Sequence, residues 1–529
     1  MNLNYIINFN FIFFYVYNYR ANKDITIPTL PQPFNPMFPM GAKNFKPIPH
    51  NVIYNVYANC DPETYSYITS KPFDPPDTSK QNKTPTNCTI SIVSPHNVYK
   101  STGSIHIIGF GSRLFKKLTF SMKLDKKFMG RKSLRLRGMS ADPTLVREQL
   151  AIGLYKAVGV PVQEGSYARL FINGDTYGLY TFIDSISKKW IAGYVHGDAK
   201  ANIGVSYKLY ADIPEYPDLK YHGDNYQDYA QFYIPDEYED NEVDVNNEAS
   251  KYTRLIEFIK LFDGWVKTPG QPVEELKKFF NIEAMLRLMV IDTLTLALDN
   301  FYIRLSNAAL YYNPERKNYV FLPYDFDKTL IGGTQDPMLA ENYIADCHTW
   351  VNQHEDTIEH YLTNNLLANP EIQKRYDVIL AKASLELFNE KVISNYVHSL
   401  ADLVRDDAAW NFEKSSNLNI PYNGIVNHYT IKDFEGNLDK TPVEFNQELV
   451  VNDAPYGLIQ WVDLRSKSCI NETVNIDITK NDNISDNLQV TVFEETLTDD
   501  LSNSAISNLP SIKATLTIAM VFLVSLIHF

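Results

Sequence analysis

Cysteine is scarce in this chain: four residues in 529, at Cys60, Cys88, Cys347 and Cys469. Their spacing excludes a zinc ribbon and a Cys-x-x-Cys redox site. Basic charge is also short. Lys and Arg number 49 against 63 Asp and Glu, a net charge of −14. The broad positive footprint of a nucleic-acid-binding chain is therefore missing, although a local basic pocket for phosphates stays open. No internal repeat is evident. What is present is globular in character, with 44% hydrophobic, 13% aromatic and 21% charged residues, which excludes a wholly disordered, collagenous or multi-span membrane chain. The length is about three to four times the commonest domain size, so one large domain with insertions or two domains with tails both fit.

Four cysteines allow two disulfides in three pairings. Cys60–Cys88 with Cys347–Cys469 is favoured, because the first closes a Pro-rich loop that gains most from a covalent tie; four reduced, buried thiols are the alternative. Asn-x-Ser/Thr triplets at Asn82, Asn87, Asn471 and Asn483, in stretches that read as loops, support an oxidising compartment. The last 16 residues, Ala514 to Phe529, carry no Asp, Glu, Lys or Arg. They fall short of the roughly 20 needed for a span. Small residues at 502–505 and a polar-leaning spacer at 506–513 precede them, the arrangement of a glycosylphosphatidylinositol attachment signal, with a tail-anchored helix as rival. At the other end, residues 1–25 make a poor signal peptide: Asn8 and Asn10 interrupt the apolar run, and a basic n-region and an A-x-A-like cleavage site are missing.

Between the ends the chain reads as a Pro-rich arm (26–49), a β-rich lobe (50–210), an acidic insertion (211–249), a helical lobe (250–469), a polar stalk (470–509) and the hydrophobic tail (510–529). Near alternation predicts strands at 51–58, 88–94, 104–109 and 117–124. Helical spacing covers 143–158, followed by a hairpin of 165–172 and 177–183 joined through Asn173-Gly174. The insertion, rich in Pro, Tyr and acids, reads as a solvated, mobile loop. Helices follow at 250–266 and 273–298, strands at 308–313 and 318–323, and helices across 355–413 and 453–468. Strands first and helices later is an α+β organisation.

Two stretches carry residues suited to chemistry. Ile108-Gly-Phe-Gly-Ser112 ends a predicted strand, where Gly109 and Gly111 would let backbone N–H groups approach phosphate; Lys116 and Lys117 begin the next strand. The sharper signal lies in 298–333. Asp299 ends a buried helix, Asn307 follows eight residues later, and Asp325 and Asp327 stand at the end of an apolar strand. Carboxylates there are costly unless paired or metal-bound. Divalent-metal-dependent phosphoryl or glycosyl transfer accounts for them, and turn-capping aspartates are the plain alternative.

The run RLRGMSADPTLVREQLAIGLYKAVGVPVQEGSYARLFINGDTYGLYTFID within 131–184, with LDNFYIRLSNAALYY and FLPYDFDKTL, resembles the spore coat protein H (CotH) kinase family over roughly residues 50–468. The stalk and tail are similar to the fungal, mucoralean cell-surface branch. The resemblance implies an atypical protein-kinase-like two-lobe fold with a β-rich N-lobe and a helical C-lobe. It implies ATP with Mg²⁺ or Mn²⁺ as cofactors, Asp299 as the catalytic aspartate, and Asp325, Asn307 and Asp327 as metal ligands. Lys117 would hold the ATP phosphates, with Gly109, Gly111 and Asp184 near the nucleotide, while Arg147 would brace the lobe. The substrate would be a secreted or surface protein, phosphorylated on Ser or Thr, and the location the cell surface or wall, through a lipid anchor only. A non-catalytic adhesin binding a host-cell receptor through 304–318 is the other reading. The sequence departs from the family at Thr329-Leu330-Ile331-Gly332, where an aromatic commonly follows the Thr, and in the longer spacing from Asp299 to Asn307.

Overall fold

Alternating apolar positions in the N-terminal half build a closed barrel. The computed structural model describes residues 25–493 other than 75–79, 212–214, 241, 298, 331–343, 345, 348–357, 440–455 and 486–489. Strands β1 (Ile53–Cys60), β2 (Thr86–Val93), β3 (Val98–Ile107), β4 (Phe120–Phe128), β5 (Arg131–Arg137), β6 (Gly165–Ile172) and β7 (Asp175–Asp184) close in the order β1-β2-β3-β4-β5-β7-β6. The closing seam is parallel, with Ile53 opposite Tyr167 and Ala58 opposite Ile172. Closure leaves no open edge for stray pairing. Inside, Ile90, Ile105, Phe120, Met122, Leu134, Leu170 and Phe182 form one buried cluster. The sequence reading anticipated a sheet here but neither its closure nor β5, whose RKSLRLR reads as basic surface although Leu134 and Leu136 alternate into the core.

A second sheet has the order β11-β10-β8-β9, from β8 (Val205–Leu209), β9 (Tyr233–Tyr238), β10 (Ala308–Asn313) and β11 (Asn318–Pro323). Here the expectation of a solvated acidic loop is corrected. The described part of 211–249 supplies β9, which pairs with β8, and its acids meet cations from neighbouring elements. Asp236 lies 2.6 Å from Lys208, Asp240 2.7 Å from Arg254, and Glu242 2.6 Å from the same arginine. Composition alone cannot show such pairing.

The helices are α1 (Pro62–Ser70), α2 (Arg147–Ala157), α3 (Lys188–Tyr194), α4 (Thr253–Lys267), α5 (Ile282–Thr295), α6 (Tyr361–Ala368), α7 (Pro370–Glu386), α8 (Glu390–Ser416), α9 (Ile431–Leu438) and α10 (Leu458–Glu472), besides short turns at 248–251, 273–277 and 301–304. The long helix expected over 273–298 is broken: Asn281 caps α5 by accepting from the Ala284 N–H at 3.1 Å, and Leu296, left-handed at φ 45°, ends it. Every residue of α5 is buried, which makes it the central strut of the largest core cluster. The result is a mixed α and β protein with a β-rich N-terminal region and a helical C-terminal region.

The Pro-rich arm packs down through Phe34, Phe38 and Phe45, all buried, with the Arg131 guanidinium 4.3 Å over the Phe45 ring and Arg287 4.8 Å over Phe34. Part of the expected stalk also returns to the body: Ser485 Oγ accepts from the Glu283 N–H at 2.9 Å, and Arg375 donates to Asn481 at 3.1 Å. Both favoured disulfides form, Cys60–Cys88 across directly opposed positions of β1 and β2, and Cys347–Cys469. Almost all of the N-terminal segment and the whole hydrophobic tail lie outside the described residues. No helix among the described residues is long and apolar enough to cross a membrane.

The four Asn-x-Ser/Thr sites are not equivalent, and not all are loops. Asn87 is exposed on β2 and Asn471 is exposed in the last turn of α10. Asn82 is 1% exposed, and its Nδ2 donates to the Lys71 oxygen at 2.8 Å. A glycan on that nitrogen would replace the bond and need space that packed atoms fill. Peptide mapping by mass spectrometry is expected to find Asn82 unmodified in folded, secreted protein; a glycan there would overturn this placement.

Candidate active site

The segment after α5 is unusually rich in left-handed residues that are not glycine: Leu296 (φ 45°), Leu305 (φ 49°), Asn307 (φ 51°), Asp325 (φ 66°) and Leu330 (φ 55°). Each conformation costs about 1–3 kcal/mol, and such strain collects at functional sites. The constraints that hold it are visible. Asn307 donates from Nδ2 to the Asp299 oxygen at 2.8 Å, and its own oxygen accepts from the Tyr324 N–H at 2.9 Å. Asn300, buried, donates to the oxygens of Tyr324 and Asp325 at 2.9 and 3.2 Å. These bonds tie the 299–307 stretch to the end of β11. Asp299 and Asn307 thus lie on a stretch held against the turn that carries Asp325 and Asp327.

Past β11, Phe326 turns inward and stacks on Tyr155 of α2 with ring centroids 4.8 Å apart, which leaves Asp325 and Asp327 pointing away from the core. Both meet Arg137 at the end of β5. Its Nη2 bonds to Asp325 Oδ1 and lies 3.3 Å from Asp327 Oδ2, while its Nε stands 2.7 Å from Glu148 Oε1 in the first turn of α2. The other Glu148 oxygen accepts from the Thr181 hydroxyl at 2.6 Å. Burial disfavours the charge on Asp325, but Arg137 overrides it and holds this carboxyl below its ordinary range. Burial and the Asp325 charge push Asp327 up to about 7. One carboxylate is kept ionised and its neighbour is poised near neutrality, a division that pairs of carboxylates at reactive sites use.

Arg135, two residues back on the same strand, makes no ion pair among the described residues; burial and the adjacent Arg137 lower its pKa. Next to the aspartates in sequence, Lys328 has its Nζ 3.3 Å from Asp299 Oδ2, both side chains partly exposed. Sequence reasoning missed Arg135, Arg137, Glu148, Asn300 and Lys328. The available signal was the alternation Leu134-x-Leu136 with arginines on the opposite face, followed by a helix whose first turn carries an acid.

Two expected nucleotide contacts lie elsewhere. Lys117 is buried: its Nζ donates to the Leu179 oxygen and to Asn411 Oδ1 of α8, each at 2.7 Å, and sits 4.8 Å from the Tyr180 ring centroid. That ammonium is satisfied within the fold, so its geometry does not present it to a phosphate. Asp184 pairs with Arg131 at 2.5 Å, both side chains 1% exposed, toward the end of β5 opposite Arg137; it is a buried structural ion pair. Gly109 favours glycine because its φ of 80° is one that L side chains rarely adopt. Its loop curls over Arg113, whose guanidinium donates to the oxygens of Gly109, Pro72, Asn82 and Ile107. Gly111 is exposed on that loop, and no contact found among the described residues links either glycine to the aspartates. Arg147 is a brace, locked to buried Asp142 at 2.5 Å.

Among the described residues no three or more His, Cys, Asp or Glu side chains are grouped to hold a metal ion by themselves. The oxygen set is nonetheless a hard-cation set. Two carboxylates stand together, the amide oxygen of Asn307 is left over once its nitrogen is committed, and the buried Asn300 Oδ1 has no partner among the described residues.

A family model described as CotH kinase protein matches residues 105–468, a span that contains every residue of the cluster. The chain is 26% identical over 355 residues to Invasin CotH3 of Rhizopus delemar, covering 66% of this chain and 55% of that protein. It is 27% identical over 287 residues to Invasin CotH2 of the same organism, covering 53% and 45%. Inner spore coat protein H of Bacillus subtilis is 21% identical over 303 residues, covering 55% and 74%. The matches thus span about half the length of the two invasins.

Proposed function

Since the chain belongs to the CotH kinase protein family, we propose that it transfers the γ-phosphoryl group of ATP to Ser or Thr hydroxyls of secreted or surface proteins, on a kinase-like framework. The observation that carries the proposal is the meeting of Asp325 and Asp327 on an arginine braced by Glu148, with Asp299 and Asn307 on a stretch tied to the same turn. Phosphoryl transfer asks little covalent help from a protein: it asks for positioning and for opposite charge on the phosphate oxygens. Mg²⁺ or Mn²⁺ fits the donors present, because such an ion takes one or two carboxylates and fills its other positions with water and substrate phosphates. Asp325, Asp327 and the amide oxygen of Asn307 would hold it, and when bound it neutralises charge on the transferring group.

The chain's own residues supply the rest. Arg137 and Arg135 face the carboxylates from β5 and bind phosphate oxygens. Glu148 keeps the Arg137 guanidinium in place. Asp299, about a third exposed, is reachable by an acceptor hydroxyl, which it orients and whose proton it receives. The names of the relatives, invasins and spore coat proteins, support a surface or secreted location; the two disulfides agree with an oxidising compartment. A lipid anchor at the C-terminus belongs to the same proposal.

A second reading, a surface protein that binds a host receptor, is favoured by the relatives named invasins. The segment 304–318 offers such a partner little, because β10 is buried along its whole length. Only Arg304, Glu315 and Lys317 are exposed within it, so a receptor would meet the turn and not the strand.

The test is purified protein with labelled ATP, each divalent ion and a general protein acceptor. Wild type is expected to incorporate phosphate, and Asp325→Asn to lower incorporation by roughly a hundredfold or more. Absence of both incorporation and any nucleotide-dependent thermal shift with either ion would reject the kinase reading and leave the binding one.

A further inference from the structure

Lys328 sits between the two carboxylates that close the Asp-x-Asp stretch and the aspartate that faces an acceptor. Its Nζ is 3.3 Å from Asp299 Oδ2, and its charge also acts on Asp325 and Asp327. Stability does not account for this pair. The two side chains are 43% and 34% exposed, and ion pairs of that kind contribute about 0–1 kcal/mol.

The backbone that carries Lys328 is nevertheless held firmly. Phe326 is buried and stacked on Tyr155. The Thr329 hydroxyl donates to the Phe326 oxygen at 2.8 Å, and the Leu330 N–H donates to the Thr295 oxygen of α5 at 2.6 Å with Leu330 left-handed. A turn fixed on both sides presents a partly exposed cation to a partly open place. That is the arrangement of a charge kept ready for a group that arrives.

We propose that Lys328 is a further catalytic residue, whose ammonium touches an oxygen of the transferring phosphoryl group and stabilises the charge that spreads over it in the transition state. The inference rests on the kinase reading above. The step balances within the residues already placed: the acceptor oxygen forms a bond to phosphorus, the bond from phosphorus to the leaving diphosphate breaks, and the acceptor proton goes to Asp299. Lys328 makes and breaks no covalent bond. In the resting protein its charge lies on Asp299; with substrate present it turns to the phosphoryl oxygens, which frees Asp299 to take the proton. This cation, carried by the turn after β11, adds to Arg137 on β5, so the group in flight meets positive charge from two elements of the fold.

The experiment compares wild type, Lys328→Met and Lys328→Arg in the full chain. Turnover, the ATP-dependent thermal shift, and acylation of Lys328 by an amine-selective reagent with and without a non-hydrolysable ATP analogue and Mg²⁺ are measured. Expected are a fall in kcat of roughly 10²–10³-fold for Lys328→Met, partial recovery in Lys328→Arg, a thermal shift that is retained but smaller than that of wild type in Lys328→Met, and protection of Lys328 from acylation by the analogue. Active wild type with Lys328→Met within threefold of its kcat, or equal acylation with and without the analogue, would overturn the role of Lys328 while leaving the kinase reading intact. Wild type without turnover or thermal shift would overturn both.

Discussion

Replacing Arg137 by methionine is expected to remove several kcal/mol of stability and nearly all phosphoryl transfer. The guanidinium is 10% exposed and contacts three carboxylates, Glu148 at 2.7 Å, Asp325, and Asp327 at 3.3 Å. Burial works against its charge, but the surrounding carboxylates outweigh burial and raise its pKa well above normal. Breaking a buried pair from one side costs about 3–5 kcal/mol, because the partner is left as an uncompensated charge. Glu148, 3% exposed, is that partner. Adding Glu148→Gln to Arg137→Met should therefore return part of the loss, since the second change removes the stranded charge. Urea denaturation of both singles and the double gives the coupling directly. A loss below about 1 kcal/mol for Arg137→Met, or no recovery in the double, would show that the cluster is not electrostatically coupled.

Arg137 also marks where reading the sequence stopped short. Asp299, Asn307, Asp325 and Asp327 were legible because their setting is local: carboxylates and an amide at the ends of apolar runs declare that burial was avoided for a reason. Their cation was not legible. Arg137 reaches Asp325 across 188 positions, and in sequence it is one of several basic residues in RKSLRLR. The same limit hid the barrel. Each strand announces itself by alternation, but the seam is a parallel pairing of β1 with β6, and no local pattern specifies which strands close a barrel. The acidic stretch after 211 failed for a related reason, since Asp240 is surface-like only until Arg254 is placed beside it. The cysteine pairing, in contrast, was readable, because the cost of an open Pro-rich loop is a property of the loop.

Lys117 is the sharpest case, and it yields the second large effect. At the start of a strand a lysine reads the same whether it faces a phosphate or folds under a helix 294 positions away, as this one does onto Asn411. Burial lowers its pKa from 10.5 to about 7. For a group whose folded pKa is depressed in this direction, the unfolded chain binds more protons than the folded one between those two values, so stability rises with pH across that window. The penalty is fully present below about 7 and relieved toward 10.5, and a shift of this size corresponds to at most about 4–5 kcal/mol. Methionine keeps the length and apolar stem but forfeits the bonds to Leu179 and Asn411, worth about 1 kcal/mol each. Lys117→Met is therefore expected to stabilise the protein by roughly 2–3 kcal/mol at pH 6 and to give no gain, or a loss below about 1 kcal/mol, at pH 9.5. Its ATP-dependent thermal shift should match that of wild type, because in the proposed site Arg137 and not Lys117 binds the phosphate oxygens. Denaturation midpoints at the two pH values, with and without ATP and Mg²⁺, decide the matter. Equal gains at both pH values would refute the buried ammonium, and loss of the nucleotide shift in this variant would return the phosphate contact to Lys117.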